Sequence, residues 1–284
     1  MKNVLIPTDF SLNALNAAEY AMELLKGQRC TFYFLHTYTP SFYRMDYVLG
    51  GPTFSAIPDR SLDISQAGLE KMVEDISARY ANPRHTYEML SSFNILTDEI
   101  NELASDKQID LVVMGTQGAT GAKEIFLGSN TVYVIRKAKI PVLAVPAGFS
   151  FRPVDNILFP SDYLSHYKEH ELYALVELAR FHRAMVTVLH VGDKGGLTTT
   201  QQQNLVHLEN NLKQVPYKIE NISADDIPDA IVEYAEKNEA DLVAMMYGRH
   251  SFLQNLLLRQ KIDRIGFHIQ VPLLVIRDSA EKMR

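Results

Sequence analysis

The chain is 284 residues long, 46% apolar and 22% charged, with 34 acidic against 28 basic side chains and a formal net charge of −6. This length suits about two domains of ordinary size, and the composition excludes a disordered, collagen-like or coiled-coil chain. The acidic balance excludes a nonspecific nucleic-acid binder, which needs a basic face, and the single cysteine, Cys30, excludes an intrachain disulfide or a cysteine-based zinc cluster.

The first element predicted is a strand at residues 4–7, entered straight from the N-terminus with no leader-like apolar region before it. No apolar run approaches the roughly 20 residues that span a bilayer, so the expectation is a soluble cytoplasmic protein without a membrane partner. A helix follows from near Leu12, with Ala14, Ala18, Ala21 and Leu25 at helical spacing. Strands are then expected at 31–36, 86–90, 111–114 and 142–145, with a helix on Leu96, Ile100, Leu103 and Lys107 and another over 131–138. The second part of the chain gives strands at 157–159, 186–191, 217–219, 242–246 and 273–276.

The same unit occurs twice. Asn3-Val-Leu-Ile-Pro-Thr-Asp9 reappears as Asn156-Ile-Leu-Phe-Pro-Ser-Asp162 at a shift of 153, and the segment 98–114 reappears as 229–245 at a shift of 131. Copy one therefore carries 22 more residues, which fall near 38–61, a stretch holding Pro40, Gly50, Gly51 and Pro52. Expected domains are 1–147 and 153–284. Alternation of short apolar runs with amphipathic stretches predicts an α/β fold: two tandem, doubly wound, five-stranded parallel sheets with helices on both faces. In such sheets ligands bind beyond the strand C-termini at the switch point, which here lies between the first strand, ending at Asp9, and the fourth, ending at Gly115.

The fourth run of copy one leads into Met114-Gly115-Thr-Gln-Gly118-Ala-Thr-Gly121-Ala-Lys123 and on to Gly128-Ser129-Asn130, before a helix. Glycines can adopt positive φ and let backbone N–H groups approach an anion. A helix N-terminus at Gly128 and Ser129 would add its own N–H groups and dipole. The spacing G-x2-G-x9-G-S therefore reads as a phosphate cradle, and it is neither a P-loop nor a G-x-G-x-x-G fingerprint. For Asp9, capping of the first helix competes with ligand contact.

The residues Ile6-Pro7-Thr8-Asp9-Phe10-Ser11, Leu35-His36, Met114-Gly115 through Gly128-Ser129, and Pro141-Val142 resemble the universal stress proteins, specifically their tandem two-domain members. The resemblance covers nearly the whole chain. It implies a Rossmann-like fold of the adenine nucleotide alpha hydrolase-like kind, with ATP, alone or with Mg²⁺, as ligand. It further implies that Pro7, Thr8 and Asp9 line the adenosine end, with the backbone around Thr37 facing adenine. Met114, Gly115 and Gly118 would hold ribose and phosphates, and Gly128, Ser129 and Asn130 the phosphate tail. By the same resemblance the two copies pair within the chain as the family's dimers do, through the last strands at 142–145 and 273–276; homo-oligomers beyond that pair stay open.

Copy two departs from the pattern: Gly115 becomes Met246, Gly118 becomes Arg249, Gly128 becomes Arg259 and Ser129 becomes Gln260. Bulky side chains there obstruct backbone approach to a phosphate, so one nucleotide per chain is expected. His166 and His170, four apart on an expected helix, lack a third metal ligand, and no metal site is expected. His36 and His190 close matching strands as structural residues. Phosphoryl transfer needs a positioned nucleophile and charge neutralisation, and no acid–base pair is evident. The leading expectation is an ATP-binding regulatory module of the stress response rather than an enzyme. A weak ATP or AMP hydrolase and a nucleotide-independent scaffold are the alternatives.

Overall fold

A computed structural model describes residues 1–38, 60–116, 127–192, 196–248, 253 and 270–278. Gly118, Gly121, Lys123, Arg249, Arg259, Gln260 and most of the 38–61 insertion lie outside the described residues. The first half runs β1 (Lys2–Pro7), α1 (Leu12–Leu24), β2 (Cys30–Thr37), α2 (Ser61–Arg79), β3 (His85–Ser92), α3 (Leu96–Asp106), β4 (Leu111–Gly115), α4 (Ser129–Lys137) and β5 (Val142–Val145). The second half runs β6 (Asn156–Pro160), α5 (Glu169–His182), β7 (Met185–Val191), α6 (Thr199–Leu212), β8 (Tyr217–Ile222), α7 (Ile227–Lys237), β9 (Leu242–Tyr247) and β10 (Leu273–Arg277).

Each half is a doubly wound parallel sheet, as the alternation of elements predicts. Strand order is β3-β2-β1-β4-β5 in the first half and β8-β7-β6-β9-β10 in the second. The two sheets are not separate. β5 and β10 pair antiparallel, Leu273 with Ala144 and Val275 with Val142, which fuses them into one ten-stranded sheet. Both strands are short and, apart from Arg277 at the end of β10, buried, so leaving either as an edge would expose an apolar strand to unwanted pairing.

Side chains of a strand alternate between faces, and the buried residues sort accordingly. Val4 and Ile6 join α1, α2, α5 and α6 in one apolar cluster, whereas Leu5 joins α3, α4 and α7 in the other. Both clusters draw on both halves.

The repeated Asn and Asp have a shared structural job. The Asp110 carboxylate accepts the Asn3 N–H at 2.8 Å, and Asp241 accepts the Asn156 N–H at 2.9 Å, pinning the start of the fourth strand to the first in each half. Arg152 closes the second pin with an ion pair to Asp241 at 2.8 Å.

One expectation about helices is corrected. His166 and His170 do not share a helix, because α5 starts only at Glu169 and His166 lies in the loop before it. Among the described residues no group of three or more His, Cys, Asp or Glu side chains could hold a metal. Among the same residues no helix is long and apolar enough to cross a membrane.

Candidate functional site

At the C-terminal ends of β1, β2 and β4, where the strand order reverses, a cleft of about 1080 Å³ opens. Nine of the ten candidate residues line it: Pro7, Thr8, Asp9, Thr37, Met114, Gly115, Gly128, Ser129 and Asn130. The tenth, Gly118, lies outside the described residues.

The turn after β1 sets one wall. The Thr8 hydroxyl accepts the Phe10 N–H at 3.0 Å and the Asp9 carboxylate accepts the Ser11 N–H at 3.1 Å. Together they hold Phe10 at a φ of 61°, a conformation that is strained for a bulky side chain. Capping of α1 falls to Ser11, whose hydroxyl accepts the Ala14 N–H at 3.2 Å. Asp9 is therefore not the cap. The arrangement recurs in the second half, where Ser161 and Asp162 hold Tyr163 at a φ of 56°.

The opposite wall is β4 running into α4. Gly115 is not a positive-φ glycine, and Gly128 has an ordinary φ of −58°, so the expectation of left-handed glycines fails at both. Close approach explains Gly115 instead. A Cβ there would meet the Asn13 carbonyl oxygen at 2.9 Å, so glycine lets the first turn of α1 lie on the end of β4. Gly128 N-caps α4, which starts at Ser129, two residues earlier than its apolar spacing suggests. Among the described residues no side chain caps this helix, and no acidic residue occupies its first turn. Its first N–H groups therefore lack intrahelical acceptors at the cleft wall, where Ser129 and Asn130 sit, and they favour an anion. The Gly128 N–H donates to the Thr116 carbonyl and the Thr131 hydroxyl donates to the Gly115 carbonyl at 2.8 Å, fixing the helix start on the strand end.

His36 also lines the cleft. Its Nδ1 meets the Ser65 hydroxyl at 2.8 Å, and Phe10 lies against its ring with centroids 4.5 Å apart. Burial holds its pKa below the usual histidine range, with nearby Asp9 pulling the other way. Tyr38, Phe93, Ile95 and Tyr133 add an apolar rim that motif reading does not find, since Phe93 and Ile95 sit in an irregular link between β3 and α3.

At the corresponding place in the second half the described residues leave little room. Its cavity measures about 20 Å³, between Ser161, Asp162, Tyr167, Met246 and Leu253. Met246 stands where Gly115 does, and it fits because α5 starts late, leaving no helical turn over the end of β9. Asp162, which burial chiefly drives upward in pKa, accepts the Leu164 N–H at 2.9 Å.

The model of the universal stress protein family matches the chain twice, over residues 1–146 and 153–277. The chain belongs to the universal stress protein family. It is similar to Universal stress protein MJ0531 of Methanocaldococcus jannaschii, at 34% identity over 51% of this chain and 81% of that protein. Universal stress protein MJ0577 of the same organism is 29% identical over 51% of this chain and 94% of that protein, so each of these family members spans about one half of the present molecule. A universal stress protein from Archaeoglobus fulgidus shares the fold of the whole, with a TM-score of 0.67 at 18% identity and coverage of 97% of this chain and 96% of that one.

Proposed function

We propose that this universal stress protein is an ATP-responsive regulatory module with one nucleotide site, in a binding half at 1–147 supported by a second half at 153–284. The observation that carries the proposal is the contrast between a cleft of about 1080 Å³ at the strand ends of one half and a cavity of about 20 Å³ between the described residues at the equivalent strand ends of the other. A nucleotide needs a cavity in the range of roughly 300–1,000 Å³ with a few polar groups. The residues fit ATP chemically. The uncapped start of α4 at Ser129 and Asn130 suits a phosphate tail, and Pro7, Thr8, Asp9 and Thr37 suit the adenosine end. Met114 and Gly115 lie between them on the switch point, and Gly118 belongs to the same proposed loop.

A regulatory rather than catalytic role is supported by the lining. Asp9 is the one carboxylate among the described residues that line the cleft, with no second acid–base group besides His36. Phosphoryl transfer usually draws on several charged groups around the transferring phosphate. A cytoplasmic setting belongs to the same proposal.

The test is to identify any nucleotide released from the natively purified protein, then to titrate the stripped protein calorimetrically with ATP, with and without Mg²⁺. One equivalent per chain is expected. Two equivalents of similar affinity, or none, would refute the proposal, and steady Mg²⁺-dependent phosphate release would replace it with the hydrolase reading.

A further inference from the structure

We propose that His36 is a ligand-contacting residue of the cleft, bound in its neutral form, so that nucleotide binding expels a proton from it and weakens on acidification. The inference rests on the nucleotide reading above and names a regulation of that same site.

Three observations place His36 in this role. Its imidazole lines the cleft, one face is covered by Phe10, and Nδ1 is engaged by Ser65. Nε2 has no protein partner among the described residues, so it is the polar atom left to meet a ligand. The partner on Nδ1 is a hydroxyl, itself joined to the Ser91 hydroxyl at 2.7 Å, and a hydroxyl chain donates or accepts equally well. His36 therefore exchanges tautomers without losing that bond, and Nε2 offers a ligand either a donor or an acceptor. The twin shows the contrasting case. His190 Nδ1 faces the Ser161 carbonyl at 2.9 Å, an acceptor only, and His190 does not line the cavity of about 20 Å³ at those strand ends.

The sign follows from what surrounds the ring. Among the described residues Asp9, in the turn after β1, is the charged group that faces it; α2 presents Ser65 and β3 presents Ser91, both uncharged. Burial outweighs Asp9, and the pKa is already depressed. A ligand laid over the cleft removes more water from the ring, which disfavours the imidazolium further. The phosphates, held at the start of α4, would act the other way. They belong to the β4 side, two strands from β2, or roughly 10 Å at about 4.8 Å per strand, whereas the desolvation acts at the ring itself. Contact desolvation therefore outweighs the distant charge.

The experiment compares ATP dissociation constants between pH 8 and pH 5.5 for the full chain and for His36→Gln. The titration of the phosphates is common to both proteins and cancels in the ratio. The wild type is expected to lose on the order of three- to tenfold more affinity than the variant across that range. A variant-free check is the NMR titration of the His36 Cε1 proton, whose midpoint should fall when ATP is bound. Superimposed pH profiles, or a midpoint that rises with ATP, would overturn the inference while leaving the nucleotide reading intact. Absence of ATP binding at pH 8 would overturn both.

Discussion

Gly115→Ala tests the reasoning at the point where the two walls of the cleft meet. The added methyl would sit 2.9 Å from the Asn13 carbonyl oxygen, 3.1 Å from its carbon and 3.3 Å from its Cβ. Two of these three atoms are backbone, in the first turn of α1, and that turn is tied by the Ser11 cap and by the Leu15 N–H to the Ser11 carbonyl at 3.0 Å. The helix cannot swing aside without loosening those bonds. Overpacking of this kind costs about 1–3 kcal/mol, and the rigid neighbour argues for a middle value of about 2 kcal/mol. For a chain of this size that corresponds to a fall in Tm of about 4 °C. Scanning calorimetry on the wild type and variant measures it, and ATP titration on the same samples should show weaker binding because α1 carries the wall that includes Ala14. A Tm unchanged within about 1 °C, together with unchanged affinity, would show that α1 yields freely and that glycine is not needed there.

The remaining predictions concern other parts of the molecule. The buried Tyr20 hydroxyl has no hydrogen-bond partner among the described residues, and burial pushes its pKa well up, so Tyr20→Phe removes an unsatisfied group and should leave the Tm unchanged or raised by the equivalent of up to about 1 kcal/mol in thermal unfolding. Met246→Ala removes buried atoms from the second half and should cost about 2–3 kcal/mol in chemical denaturation. It should not create a second ATP site in calorimetry, because Tyr167 and Leu253 still fill the place. His85 and His182 are both held below the usual histidine pKa by burial. Their folded forms prefer to be neutral, so they stabilise the fold fully above the unfolded value of about 6.5 and less as pH falls through it toward their folded values. Unfolding midpoints should decline from pH 7 to pH 5, and the decline should be shallower in His182→Gln.

Much of the architecture was legible because it rests on periodicity. Apolar runs such as Val4-Leu5-Ile6 and Val112-Val113-Met114 announce strands buried on both faces, and the repeated Asn3 and Asp110 pair mark where strands are pinned. The Pro7-Thr8-Asp9 turn was legible because its chemistry is local, and Gly115 and Gly128 fall in the same cleft, though not for the left-handed conformation expected of them. What escaped reading depends on distant partners. His36 acquires its cleft role from Ser65, 29 residues away across the insertion, and from Phe10, whose left-handed conformation no propensity suggests. α2 is harder to see because Ser65 and Gly68 interrupt its apolar stripe of Leu69, Met72 and Ile76. The reason for Gly115 was also hidden. It lies in the late helix start that distinguishes one half from the other, and Leu164-Ser-His-Tyr-Lys168 carries no clear signal of that delay.

The antiparallel seam between β5 and β10 has a consequence for how the halves depend on each other. Parallel strands within a half end on the same rim, so reversing direction at the seam sends the rim that carries the cleft of the first half and the corresponding rim of the second to opposite borders of the sheet. A molecule built this way pairs the buried strands β5 and β10 with each other inside a single polypeptide, where tethering supplies the partner at any dilution.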